Sequence, residues 1–149
     1  MFQINTRGPI YDPEAVQPMR DELTAAGFVE LLSPADVDTY LGQKEGTTLV
    51  MINSVCGCAA GSARPGVTLA LQNKLIPNRI VTVFAGQDRD AVDQLRNAYL
   101  PGIPPSSPYM ALFKDGEIVY LMQRMNIEGK TADMVAEELT AAFNEHCTF

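Results

Sequence analysis

Cys56-Gly57-Cys58 sets two thiols one residue apart. The pair directly follows an apolar run, Thr47-Thr48-Leu49-Val50-Met51-Ile52, and directly precedes a small-residue stretch that reads as the opening of a helix. Thiols at the end of a strand and the start of a helix point to thiol–disulfide exchange. Free backbone N–H groups and the helix dipole at such a place stabilise a thiolate, and the thiolate is the nucleophile. Cys56 stands nearer the strand end and is the expected nucleophile. It would attack the sulfur of a mixed disulfide, take the small thiol onto itself and free the other partner.

Cys58 has two open readings, a resolving thiol or a group that tunes Cys56. Bridging two cysteines across a single residue closes a small ring in which good disulfide geometry is hard to reach. Such a bond is easily reduced, which suits exchange or isomerisation better than strong reduction. Gly57 is expected to let the backbone turn tightly and to keep the approach to Cys56 clear. Asn53 and Ser54 precede the pair and could donate hydrogen bonds to a bound thiol, or could equally satisfy loop backbone. The third cysteine, Cys147, lies beside His146, the lone histidine, at the C-terminal end of a helix. That end raises a thiol pKa, and neighbouring helix positions diverge, so Cys147 reads as a tail thiol. It would resolve Cys56 only if the tail folds back.

The chain around these residues has 149 positions, enough for one domain with a hydrophobic core. Its net charge of −7 argues against nucleic acid or an anionic membrane surface as the main partner. No run approaches the roughly 20 apolar residues of a membrane span. The first residues lack the charged and apolar regions of a signal peptide. Three cysteines are too few for a disulfide framework, so a cytoplasmic protein with reactive or buried thiols is expected. No nucleotide-binding fingerprint and no Ser-His-Asp set occurs, and no organic cofactor is implied.

Residues 1–12 read as an irregular arm. Pro13 opens a helix on which Val16, Met19, Leu23 and Ala26 recur at helical spacing, with Gly27 as its stop. Residues 28–32 read as an edge strand, and Ser33-Pro34 as the cap of a short helix to about Leu41. Residues 47–52 suit a strand buried on both faces. The helix after Cys58 is expected to kink or restart at Arg64-Pro65-Gly66 and to carry Val67, Leu71 and Leu75 on one face. Residues 79–84 form a second buried strand. Residues 88–100 form a helix with Val92, Leu95 and Tyr99 inward. A proline-rich loop covers residues 101–108. Strands 109–113 and 117–122 are joined at Asp115-Gly116, a strong hairpin signal. A last helix spans about 130–145, with Met134, Val135, Leu139, Ala142 and Phe143 at helical spacing. The order β-α-β-α-β-β-α implies parallel pairs followed by an antiparallel hairpin. The expected fold is α/β and thioredoxin-like, a central mixed β-sheet flanked by helices, with extra N-terminal elements, in a single domain over 1–149.

Asn53-Ser54-Val55-Cys56-Gly57-Cys58-Ala59-Ala60-Gly61 closely resembles the active-site segment of the bacilliredoxins. So do the Arg64-Pro65-Gly66 step, the Pro104-Pro105-Ser106-Ser107-Pro108 loop, and Met110-Ala111-Leu112-Phe113 followed by Lys114-Asp115-Gly116. The resemblance covers nearly the whole chain. It implies removal of bacillithiol from protein mixed disulfides, with bacillithiol as thiol co-substrate and client proteins as partners, and disulfide isomerase-like behaviour in some members. It also matches Pro108 to the cis-proline of thioredoxin-like folds. Pro108 would then set the backbone of Ser107 and Tyr109 near Cys56, where it could pair with an extended substrate segment.

Two other classes remain open. Cys56 and Cys58 could chelate a soft metal or an iron–sulfur cluster, with a second copy supplying further thiolates. The lack of another CxC or CxxC counts against that reading. A noncatalytic binding module of the same fold is the other. No oligomeric state follows from the sequence.

Overall fold

Alternation along the central strand explains the architecture. In the computed structural model, which describes residues 8–148, strand β2 (Thr47–Asn53) is buried at every position. Leu49 and Met51 point to one face of the sheet, and Val50 and Ile52 to the other. A strand with apolar residues at both parities needs cover on both sides. Helices α3 (Arg64–Ala70) and α6 (Ala132–His146) cover the first face, where Val67, Val135, Leu139 and Phe143 meet Met110 and Leu112. Helices α2 (Pro34–Leu41) and α4 (Arg89–Gln94) cover the second, with Val37, Leu41, Ala91 and Val92 against Val81, Val83 and Ala111.

The sheet has five strands in the order β1-β3-β2-β4-β5. Strand β3 (Arg79–Phe84) pairs parallel with β2 and with the edge strand β1 (Val29–Glu30). Strands β4 (Tyr109–Lys114) and β5 (Glu117–Met122) pair antiparallel, and β4 runs antiparallel to β2. The hairpin between them turns on Asp115 (φ 52°) and Gly116 (φ 85°). Two successive positive φ angles define the turn type that Asp-Gly favours. The expected mixed sheet flanked by helices is the one observed.

Several local expectations hold to the residue. Ser33 caps α2, its hydroxyl accepting the Asp36 N–H at 3.2 Å, while helix α1 (Pro13–Ala25) is capped by Asp12, which was not foreseen. Of the expected arm, residues 1–7 lie outside the described residues, and 8–12 are irregular. Ile10 N–H donates to Gly86 O at 2.7 Å, and Tyr11 and Gln87 exchange hydrogen bonds, so this stretch is pinned to the end of β3.

Other expectations need correction. The segment after Cys58 is π-helical over Ala59–Ala63 before α3 begins at Arg64. Helix α3 ends at Ala70, so Leu75 lies beyond it, although Leu71 and Leu75 still pack against the core. Residues Leu95–Tyr99 are also π-helical, and the Tyr99 hydroxyl donates to Asp38 Oδ1 at 2.8 Å on α2. Met134 is half exposed at the start of α6, not inward. A short helix, α5 (Arg124–Ile127), follows β5 and was not expected.

Gly66 has a packing reason. A Cβ there would lie 2.6 Å from Val135 Cγ1 and 3.0 Å from Ala132 O, so α3 and α6 approach as closely as they do because residue 66 has no side chain.

Candidate active site

Strand β2 delivers the chain to the thiols, and a buried arginine fixes the corner where it leaves the sheet. Arg64 is only 2 % exposed. Its Nη1 donates to Asn53 Oδ1 at 2.9 Å and to Ser54 O at 2.8 Å, and its Nε meets Glu22 Oε1 of α1 at 3.0 Å. A guanidinium suits this work because its donors form a rigid planar fork. Asn53 also accepts the Ser54 N–H at 2.8 Å, and its Nδ2 donates to Met19 O at 3.1 Å. Both ends of the Asn53 amide are thus engaged within the chain, and its part is to hold the corner. Ser54 Oγ accepts the Cys56 N–H at 3.3 Å, so Ser54 sits directly against the nucleophile.

Cys56 and Cys58 are free thiols, partly exposed, with their sulfurs 2.6 Å apart. Their electrostatics differ in sign. Burial pushes the Cys56 thiol up, but it is outweighed by the hydrogen bond with Cys58, the Ala59 N–H, the Ser54 hydroxyl and the charge of Arg124, and the net shift is downward. Cys58 is pushed up by its burial and then by the hydrogen bond and charge of Cys56, which together exceed the help from Arg124. The surroundings thus favour the thiolate at Cys56 and the protonated thiol at Cys58.

Gly57 is helical and is not among the positive-φ glycines, so no tight turn requires it. A Cβ at this position would meet nothing within 4 Å. A side chain there would enter open space, so packing does not require glycine at this position either.

The Ser107–Pro108 peptide is cis, as the resemblance implied for Pro108. The register Ile52↔Tyr109 brings this peptide alongside the corner that follows β2. The Tyr109 side chain is buried in the core on the α2–α4 face, so it meets the site through backbone alone. Arg124, at the first position of α5, donates from Nη1 to Ser107 O at 3.2 Å and lies within the field of both thiols. Sequence reading missed it. Its only signal was Gln123-Met125-Asn126 around it, where Asn126 Oδ1 accepts the Gln123 N–H at 2.9 Å to cap a helix too short for periodicity.

Cys147 is buried in the core and touches Thr47, the first residue of β2. Seven strand residues, about 20 Å, separate that end from the thiol pair. Burial pushes its thiol up, against smaller help from Thr47 and Lys114. It is a core residue and cannot resolve Cys56. Among the described residues, no three metal-ligating side chains gather, so a metal held by Cys56 and Cys58 would need donors from another molecule.

A close thiol pair at the start of a helix, beside a cis-proline peptide that leads into the neighbouring strand of a mixed sheet, is the arrangement of a redox protein of thioredoxin-like fold. Solved structures agree on the fold. A thioredoxin-fold protein superposes with TM-score 0.56 at 15 % identity, over 74 % of this chain and 91 % of its own. Oxidised thioredoxin O2 of Arabidopsis thaliana gives TM-score 0.51 at 16 % identity, over 80 % and 96 %. A family model described as disulphide isomerase matches residues 11–147. Bacilliredoxins of Salinibacter ruber and Halalkalibacterium halodurans are 52 % and 51 % identical to it, over 93 % and 92 % of this chain and 81 % and 94 % of their own. One of Cytophaga hutchinsonii is 48 % identical over 91 % of this chain and 99 % of its own. The chain belongs to the bacilliredoxin family. Among the described residues no helix is long and apolar enough to cross a membrane.

Proposed function

We propose that this protein removes bacillithiol from protein mixed disulfides through Cys56. What supports the reading is the placement of the pair: the two sulfurs lie 2.6 Å apart at the start of a helix, Ser54 Oγ takes the Cys56 N–H at 3.3 Å, and the surroundings shift the Cys56 thiol downward and the Cys58 thiol upward. The Cys56 thiolate attacks the bacillithiol sulfur. A new sulfur–sulfur bond forms there, the client–bacillithiol bond breaks, and the client leaves as a thiolate that takes a proton from solvent. Cys58, once deprotonated, attacks the Cys56 sulfur of the adduct, forms the intramolecular disulfide and expels bacillithiol. Alternatively a second bacillithiol thiolate attacks the bacillithiol sulfur of the adduct, expels the Cys56 thiolate and leaves as bacillithiol disulfide. Return of the Cys56–Cys58 disulfide to the dithiol needs two electrons from an external thiol reductant.

Each protein residue has a part. Arg64, Asn53 and Ser54 set the Cys56 backbone. Arg124 and the Ala59 N–H hold the thiolate. The Ser107–Pro108 peptide forms the wall along which an extended client segment would lie. The partners are client proteins and the small thiol, bacillithiol serves as co-substrate with no further cofactor, and a reducing compartment such as the cytoplasm suits the chemistry.

The test is a client protein carrying bacillithiol, mixed with wild type, Cys56→Ala or Cys58→Ala and followed by mass. Expected are release by wild type, no release by Cys56→Ala, and a bacillithiol adduct on Cys56 of Cys58→Ala. Release by Cys56→Ala refutes the reading. Disulfide isomerisation is the second reading, favoured by the description of the matching family model. It predicts recovery of a scrambled multi-disulfide protein without added small thiol.

A further inference from the structure

The stretch 101–108, which ends in the wall of the site, is rich in proline and so has few N–H groups with which to hold itself. Its first part is anchored by packing: Leu100 and Ile103 sit against the core on the α2–α4 face, and Ile103 N–H donates to Leu100 O at 3.3 Å. Pro101, Gly102, Pro104 and Pro105 are exposed. The next fixed point after Ile103 is Ser106, whose carbonyl accepts a hydrogen bond from Arg96 Nη2 at 3.0 Å. Arg96 reaches it from a rigid base. It follows Leu95, which is wholly buried, in the π-helical turn that closes from Leu100 N–H to Leu95 O at 3.2 Å. Widened turns of this kind recur at functional sites. The Arg96 side chain is half-buried, and its planar guanidinium fixes direction as well as distance.

From this contact we infer that Arg96 is a positioning residue for the client chain: it fixes Ser106, and through it the Ser107–Pro108 peptide, so that an extended client segment meets a backbone already in place. The inference rests on the reading that this peptide is the wall along which the client lies. Arg96 acts through the loop. The nucleophile is set by other contacts, those of Ser54 with Cys56 and of Arg64 with the corner after β2. Recognition of the chain and reactivity of the thiol are therefore held by separate arginines. A loop fixed beforehand spares the complex the cost of ordering it, which favours binding of a chain and does nothing for a disulfide that has no chain attached.

Two substrates with the same reacting bond separate recognition from chemistry. One is bacillithiol joined by a disulfide to N-acetylcysteinamide. The other is bacillithiol joined to the single cysteine in the middle of a short unstructured peptide. In both, the Cys56 thiolate forms a bond to the bacillithiol sulfur, the mixed disulfide breaks, and the cysteine thiolate leaves and takes a proton from solvent. Second-order rate constants are measured in single turnovers for reduced wild type, Arg96→Met, Arg96→Gln and Arg96→Lys, each shown to be folded by circular dichroism. Wild type is expected to favour the peptide. Arg96→Met should lower that preference by about three- to tenfold, the scale of one hydrogen bond, with its rate on the amide within about twofold of wild type. The pH midpoint of Cys56 alkylation should stay where it is. Arg96→Gln, whose side chain is too short to span to Ser106 O, is read in the same way and serves if Arg96→Met does not fold. Arg96→Lys keeps the stem and the charge without the planar fork and should recover part of the preference. A preference unchanged by loss of the guanidinium, or an equal loss on both substrates, overturns the inference, and so does a wild type that treats the two alike. Failure of the underlying bacillithiol reading looks different: wild type reacts with neither substrate, or Cys56→Ala reacts as fast as wild type does.

Discussion

Replacing Arg64 by methionine tests whether a buried charge holds the nucleophile in place. Methionine keeps the unbranched apolar stem and removes the guanidinium. Three contacts go: Asn53 Oδ1 at 2.9 Å, Ser54 O at 2.8 Å and Glu22 Oε1 at 3.0 Å. Asn53 Oδ1 keeps the Ser54 N–H as a donor, and Glu22, 46 % exposed, is resolvated by water. The Ser54 carbonyl loses its guanidinium donor at a corner that excludes water. One orphaned buried acceptor costs about 1 to 3 kcal/mol, and loss of two charge-assisted bonds adds a similar amount. Relief of the guanidinium's own desolvation returns part of this. The net is a destabilisation of about 3 kcal/mol, or a melting temperature lower by roughly 6 to 12 °C for a chain of this length. Thermal unfolding followed by circular dichroism measures it. Alkylation of Cys56 against pH, on the folded protein, measures the local consequence: a loosened Ser54 should move the Cys56 midpoint up. A loss below about 1 kcal/mol would mean that burying the charge cancels its hydrogen bonds, against the argument made from the geometry. An unchanged midpoint would cut the link from Arg64 to the nucleophile.

Three further outcomes follow from the same structure. Because folding lowers the Cys56 pKa and raises that of Cys58, iodoacetamide should label Cys56 first as pH is raised, with a midpoint lower than that of Cys58. Mass mapping that finds Cys58 labelled first would refute the assignment. Gly66→Ala drives a methyl group into Val135 and should cost about 1 to 3 kcal/mol by overpacking, read as a lower denaturation midpoint at unchanged slope. A neutral result would show that α3 and α6 slide apart freely. Tyr99, through burial and then Asp38, and Tyr120, through burial and then Glu138, are each pushed up to about 12. Their protonated phenols therefore support the fold below about pH 10, and that support is lost as pH rises through about 12. Spectrophotometric titration should show these two tyrosines ionising late, and ionisation of all five near pH 10 would contradict the contacts.

What could be read from residues alone followed the range of the forces involved. Strand β2 announced itself because seven successive positions are buried and their types say so. The Ser33-Pro34 cap and the Asp115-Gly116 turn were legible because each is decided by backbone preference within two or three residues. The thiol pair was legible for the same reason. Features that depend on distant parts of the chain were not. Arg64 was read as part of a kink, since an arginine is by type a surface residue, and only the fold brings Glu22, Asn53 and Ser54 around it. Gly66 was read with it, yet its reason is Val135 on another helix. For Asn53 two parts stood open, donor to a bound thiol or support of the loop, and only the fold shows both ends of its amide engaged by Met19 and Arg64. Arg124 stands far along the chain from Cys56, on a helix of four residues, below the length at which hydrophobic periodicity carries a signal.

That separation in sequence has a consequence for the order of synthesis. The thiols leave the ribosome with the first half of the chain, while Ser107, Arg124 and the α6 residues that brace α3 emerge with the last third. Domains of this size complete their packing only when the whole unit is available. A nascent chain therefore carries Cys56 without the distant cation that favours its thiolate, and full reactivity arrives with the C-terminal helix. The fifteen residues of α6, remote from the chemistry, thereby become a condition for it, since they brace the helix onto which the thiols open.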